Sequence, residues 1–240
     1  MKKSTSLIVF FFKISAAKNA LISPQDYAQN AEMVSEDVSA GTPKFSLIYN
    51  IYVKKCLQNG AMDFDDLLLK FYEILCKFPD ALYKYQMKFK HILIDEFQDT
   101  NTAQYAIIKK LADMNEQLSV VGDDAQSIYA FRGATITNIL NFQKDYPDYH
   151  VVKLEQNYRS TPQIVTAANS LIKQNSNQID KEIWTDKSEG EKIKIFRTIS
   201  DNEEGKKVAD LIFEKKMQDH LSHNDFAILY RTNAQSRAME

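Results

Sequence analysis

The chain has 240 residues, 44% hydrophobic and 26% charged, a globular balance with enough apolar surface for one large domain or two smaller ones. Its formal net charge is −2 and its pI about 6.1. That excludes an overall basic field, so any nucleic-acid contact must come from a local groove.

Lys2 and Lys3 precede the apolar run Leu7–Phe12, which Lys13 interrupts after six residues. A secretory core needs roughly 7–15 apolar residues and a membrane span roughly 18. The run is therefore expected to be a buried strand or the arbitrary start of a fragment, and the chain cytoplasmic with no membrane partner. Ser23-Pro24 opens a helix, and a second covers Phe45–Leu57, stopping near Asn59-Gly60. Asp63 caps a third, in which Phe64, Leu67, Leu68, Phe71 and Leu75 share a face. Pro79 opens a fourth, carrying Leu82 and Tyr85. Cys56 and Cys76 lie in these helical stretches and read as small buried hydrophobes in a reducing compartment.

From His91 the pattern changes. Ile92-Leu93-Ile94 is a short apolar run ending in acid, which predicts a buried parallel strand. A helix follows with Tyr105, Ile108 and Ala112 on one face and Ile107 and Leu111 beside it. Ser119–Val121 is the next strand, closed by Gly122, and a helix covers 137–144. His150–Leu154 reads as a third strand, after which Thr161 caps a helix begun by Pro162 and running to about Lys173. Beyond a polar loop, strands are expected at Ile193–Phe196 and Phe226–Leu229. Between them Ser200 and Glu203 form a capping box for a helix, and another helix starts after Asn233. Strands alternating with helices predict an α/β fold with a parallel sheet.

Three segments carry chemistry, each at the end of an expected strand, where open α/β sheets bind ligands. In the first, Asp95 and Glu96 follow Ile94. Adjacent strand residues face opposite ways, so one acid can hold Mg²⁺ beside a phosphate while the other orients a water. Taken alone, the pair also fits solvated turn formers. In the second, Gly122 to Ala134 contains Gln126, whose amide both donates and accepts and suits sensing a terminal phosphate. It also contains Tyr129, Phe131 and Arg132, aromatic faces beside a cation of the kind that stacks on single-stranded bases; taken alone, the two aromatics fit a core equally. In the third, Tyr158 and Arg159 precede a helix N-terminus, a good place for phosphate, with the aromatic available to a nucleobase; a capped helix with a surface arginine is the plain alternative.

In order and spacing these segments resemble the superfamily 1 DNA helicases of the UvrD/PcrA/Rep type. Asp95–Asn101 resembles that family's motif II, its Walker B motif. Gly122–Ala134 resembles motif III, and Gln156–Ser160 motif IV. Ala16–Pro24 and Met62–Leu68 resemble connecting regions, and Tyr230–Arg237 resembles the start of the later half. The resemblance implies an incomplete P-loop helicase core, a RecA-like parallel sheet with flanking helices, plus a helical insertion. Residues 1–60 would be part of that insertion, 61–174 part of the first RecA-like domain with motifs II, III and IV, and 175–240 the start of the second. It further implies ATP and Mg²⁺ as cofactors, single-stranded DNA and duplex junctions as partners, and DNA-repair proteins as further candidates. Asp95 would bind Mg²⁺, Glu96 activate water, Gln126 couple the γ-phosphate to DNA movement, Arg159 reach that phosphate and Tyr158 stack on adenine. Tyr129, Phe131 and Arg132 would meet single-stranded DNA.

Ala125 and Phe131 stand where many relatives have Asp and Trp. The larger departure is a missing phosphate loop. The pattern Gly-x-x-x-x-Gly-Lys-Ser/Thr needs a Gly-Lys pair; of six glycines only Gly205 precedes lysine, and Lys207 and Ser200 then break the pattern. The chain is thus expected to be an internal fragment that cannot hydrolyse ATP alone. Two other readings remain: a non-catalytic module that binds single-stranded DNA or a repair partner, and a two-metal nuclease using Asp95, Glu96 and Asp99.

Overall fold

A computed structural model describes residues 2–127, 137–175, 181–232 and 235–239. The chain divides into two compact units. The first comprises 1–154 with 172–181, the second 155–171 with 182–240.

The first unit is mainly helical, in the order α1 (Lys2–Asn19), α2 (Pro24–Gln29), α3 (Ala31–Ser39), α4 (Phe45–Gln58), α5 (Phe64–Lys77), α6 (Pro79–Lys88), β1 (Ile92–Ile94), α7 (Thr102–Ala112), β2 (Leu118–Val120) and α8 (Thr137–Asp145). The local start signals act where expected. Ser23 and Asp63 each close a capping box, and Pro24 and Pro79 occupy first helical positions. The run Leu7–Phe12 lies inside α1 and is largely exposed, so the strand expected there is corrected to helix. The period explains why: Phe10, Ile14 and Ala17 recur at helical spacing and pack with Tyr27, Phe45 and Tyr49 in one core cluster. On α5 only Leu75 of the expected apolar face is fully buried, and Phe64 and Leu67 are exposed. Cys76 is exposed and Cys56 partly so, both as free thiols, which corrects their expected burial.

β1 and β2 pair in parallel with Ile92 opposite Leu118, Leu93 opposite Ser119 and Ile94 opposite Val120. Beyond the strands, Val121 N–H donates to Ile94 O at 2.8 Å and Phe97 N–H to Val121 O at 2.9 Å, so the two strand ends stay locked together. β1 is only half buried. Leu93 points away from Ile92 and Ile94 and is 78% exposed. Behind the sheet, Phe97 is fully buried and meets Tyr105 and Phe142 edge to face, with ring centroids 5.4 and 5.7 Å apart.

A buried polar seam joins α1, α5 and α7. Lys18 is 1% exposed, and its Nζ lies 2.7 Å from both Asp63 Oδ2 and Asp66 Oδ1. The Tyr52 hydroxyl donates to the same Asp63 oxygen at 2.8 Å. Burial pushes the Asp63 carboxyl up, but the bonds from Lys18 and Tyr52 hold it below the usual range. Next along α1, Asn19 Nδ2 donates to Asp65 at 2.9 Å, while its Oδ1 accepts from Asn101 Nδ2 at 2.8 Å. Asn101 also caps α7. The two connecting regions are thereby bonded to each other and to the residue that closes the acid-bearing loop.

The second unit contains α9 (Pro162–Ile172, through Leu171), α10 (Asp201–Asp219) and α11 (Ser236–Met239). A parallel bridge joins Gln156 to Trp184. The strands expected at 193–196 and 226–229, and the one at 150–154 in the first unit, are irregular segments with exposed apolar side chains. Short apolar runs become strands only where a neighbour supplies ladder hydrogen bonds, and no described segment does so here. Ser200 caps α10 by accepting from Glu203 N–H, but the Glu203 carboxylate accepts from Ile199 N–H, one residue before the position a capping box requires.

Removing the Lys18 charge leaves the buried Asp66 carboxylate and the half-buried Asp63 carboxylate facing each other. Lys18→Met is expected to destabilise the fold by about 3–5 kcal/mol in urea unfolding; a loss below about 1 kcal/mol would show that the seam does not organise these helices.

Candidate active site

β1 ends in Asp95 and Glu96, both exposed. Glu96 adopts a left-handed backbone, φ 50° and ψ 43°, which costs a non-glycine residue about 1–3 kcal/mol. The kink turns the chain into the 3₁₀ turn Phe97–Asp99, which drives Phe97 and Gln98 into the interior while the two acids stay outside.

Gln98 is 1% exposed and was not singled out from the sequence. Its Nε2 donates to Glu96 Oε2 at 2.7 Å, and its Oε1 accepts from Asp123 N–H at 2.9 Å. A Cβ at Gly122 would stand 2.8 Å from that Oε1 and 3.1 Å from Ile139 Cδ1, so glycine is what lets the loop after β2 lie against the amide. Asp123 in turn accepts from Gln126 Nε2 at 2.8 Å and from Ala125 N–H at 3.0 Å. Glu96, Gln98, Asp123 and Gln126 thus form one hydrogen-bonded chain across the ends of the two strands.

Lys181 is a second residue that sequence reading missed. Its Nζ bonds Asp123 and, at 2.7 Å, the buried Asp124. Burial pushes the Asp123 carboxyl up, but bonds from Lys181 and Gln126 bring it below the usual carboxylate range. Burial works against the Lys181 charge, and the two aspartates more than offset it, raising the ammonium above its ordinary value. Lysine 55 residues downstream of Gln126 carries no local signal; only the fold links them.

Asp99 Oδ1 is buried without a hydrogen-bond partner, and burial followed by the Glu96 charge pushes its carboxyl up. Among the described residues no group of three or more His, Cys, Asp or Glu is placed to hold a metal ion. Asp95 and Glu96 are exposed carboxylates, hard oxygen donors of the kind Mg²⁺ takes when phosphates and waters complete its shell, so this pair fits that ion.

The remaining candidates fall elsewhere. Tyr129, Phe131 and Arg132 lie outside the described residues. Tyr158 and Arg159 belong to the second unit, and with no strand at 150–154 the expected third strand end is not formed. There Asn157 N–H donates to Trp184 O at 2.7 Å, and Asn157 Oδ1 accepts from the backbone N–H of Arg159 and Ser160 at 2.9 and 2.7 Å. This side-chain-closed turn exposes both neighbours: Tyr158 is 72% exposed, with its hydroxyl donating to Gln156 at 2.6 Å, and Arg159 is exposed beside the start of α9. Among the described residues no helix is long and apolar enough to cross a membrane.

Comparison with known proteins accounts for both units. The profile of the UvrD/REP helicase N-terminal domain matches residues 4–147, and that of the UvrD-like helicase C-terminal domain matches 152–240. The chain is 47% identical over 227 residues to the ATP-dependent DNA helicase PcrA of Bacillus subtilis, covering 95% of this chain and 30% of that protein. The Leuconostoc citreum PcrA is 42% identical with the same coverage, and a Staphylococcus aureus PcrA is 43% identical over 232 residues, 97% of this chain and 31% of the relative. The chain therefore spans about 30% of the length of these relatives.

Two substitutions probe the site. Gly122→Ala is expected to cost about 1–3 kcal/mol by overpacking against Gln98 and Ile139; unfolding indistinguishable from the native chain would show that the loop has slack. Lys181→Ala removes the partner that depresses Asp123. A depressed carboxyl stabilises the fold above its unfolded value, near 3.8, and that stabilisation is lost as pH falls through the lower folded value. The raised Lys181 contributes fully below its ordinary 10.5 and ceases to as pH rises through its folded value. The variant should therefore be less stable at neutral pH, and the gap should close at both the acid and the alkaline end. A gap that stays constant with pH would overturn this assignment.

Proposed function

We propose that this chain, which belongs to the UvrD/REP helicase family, is the middle part of the motor of an ATP-dependent DNA helicase. The motor would be RecA-like, move 3′ to 5′ on single-stranded DNA and open duplex junctions in repair or replication, in the cytoplasm. Its divisions would be 1–60 as part of a helical insertion, 61–174 in the first RecA-like domain and 175–240 as the start of the second.

The observation that carries this reading is the hydrogen-bonded chain from Glu96 through Gln98 and Asp123 to Gln126. Asp95, whose Oδ1 accepts from Glu96 N–H at 2.9 Å, would hold Mg²⁺ at the strand end, and Glu96 would orient an attacking water from its kinked position. Gln126 offers an amide to the terminal phosphate, so a change at that phosphate is felt at the loop that continues into Tyr129, Phe131 and Arg132, our candidates for stacking on single-stranded DNA. Arg159 is suited to the γ-phosphate by its charge and fork geometry, and Tyr158 to the adenine face. Bound MgATP would supply the phosphate whose cleavage drives movement. The engaged state of Glu96 and Gln126 favours this reading over a binding module in which the acids stand idle.

The absent Gly-x-x-x-x-Gly-Lys-Ser/Thr loop leaves a triphosphate without its backbone cradle and lysine. The purified chain is expected to hydrolyse MgATP negligibly, with or without oligonucleotide, in a phosphate-release assay. Turnover that disappears in Glu96→Gln would overturn this expectation.

A further inference from the structure

Resting on the nucleotide-site reading above, we infer that Gln98 is a positioning residue: it holds the Glu96 carboxylate and ties it through Asp123 to Gln126, so the water-orienting acid and the phosphate-sensing amide respond as one unit. Both ends of the Gln98 amide are committed. Nε2 donates to Glu96 Oε2 at 2.7 Å, and Oε1 accepts from Asp123 N–H at 2.9 Å. A carboxylate can only accept and a backbone N–H can only donate, so a single amide orientation satisfies both. Turned over, the amide would set donor against donor and acceptor against acceptor.

Two further features hold that orientation. Gln98 is almost wholly buried, so water cannot stand in for either partner at low cost. Gly122, with no room for a Cβ over the amide oxygen, keeps the loop after β2 pressed on it. Glu96 by contrast is exposed, and without Gln98 its carboxylate would be free to follow solvent. From Asp123 the link continues to Gln126 at 2.8 Å. A Gln98 that merely filled space would give stability but no communication between the two strand ends.

The test uses the ¹⁵N-labelled chain as it stands and follows the Gln98 and Gln126 side-chain amides and the Asp123 backbone N–H in heteronuclear correlation spectra. Glu96→Gln, a change at an exposed carboxylate, is expected to shift all three sets of signals. In a Gln98→Met background the same change is expected to leave Asp123 and Gln126 unmoved. No shift at Asp123 or Gln126 with Gln98 present, or an equal shift without it, overturns the inference. If Gln98→Met loses its spectral dispersion, the Glu96→Gln arm in the native background decides alone. Titration with Mn²⁺ separates this from the reading it rests on. Broadening around Asp95 and Glu96, while Glu96→Gln leaves Asp123 and Gln126 unmoved, overturns the relay and leaves the metal site standing. No broadening around Asp95 and Glu96, while Glu96→Gln still shifts Asp123 and Gln126, supports the relay and removes the metal from the site.

Discussion

A lysine ammonium sealed from water is tolerable only where carboxylates meet it, and Lys18 meets two. That requirement sets the geometry of the first unit. It brings α1 against the N-terminus of α5, where Asp63 and Asp66 already cap each other, and it places Asn19 within reach of Asp65 and Asn101. Asn101 closes the loop that begins with the two acids, so the strand end is braced from the helical side by polar bonds and from the sheet side by Phe97. An apolar seam could hold the same helices together, but it would not specify the register of α1 against the acid-bearing loop as closely.

The second unit solves a different problem with fewer means. Its α10 buries no residue, and its candidate site is a short turn fastened by one asparagine. Asn157 bonds two following backbone N–H groups and the Trp184 carbonyl, which presents Tyr158 and Arg159 outward. Such a turn is set by hydrogen bonds made within its own unit, so its shape is expected to depend little on what occupies the other unit.

How much could be read from the residues alone follows from how local each signal is. Ser23-Pro24, Asp63, Pro79 and Thr102–Ala112 behave as predicted because caps and helical periods act within a turn or two. The pairing of β1 with β2 was legible from two apolar runs that each end in polar residues. Leu7–Phe12 was misread because six apolar residues in a row carry no period until Ile14 and Ala17 are included. The segments at 150–154, 193–196 and 226–229 failed as strands because a strand is a property of two segments. At the site, Asp95, Glu96 and Gln126 stood out by chemistry and position. Gln98 and Lys181 did not, because a glutamine inside an acidic motif and a lysine after a polar loop gain this meaning only through Asp123 and Asp124, tens of residues away.

The tight seat of the Gln98 amide under Gly122 also bears on how this stretch can drift over generations. Every substitution of glycine adds at least a Cβ, and here even that atom would meet the amide oxygen at 2.8 Å. The position therefore resists change on its own, and the cost falls if residue 98 shortens first, a change that breaks the bonds to Glu96 and Asp123. Positions 98 and 122 are expected to be an epistatic pair, the cost of changing one depending on the residue at the other, although 24 residues separate them in the chain.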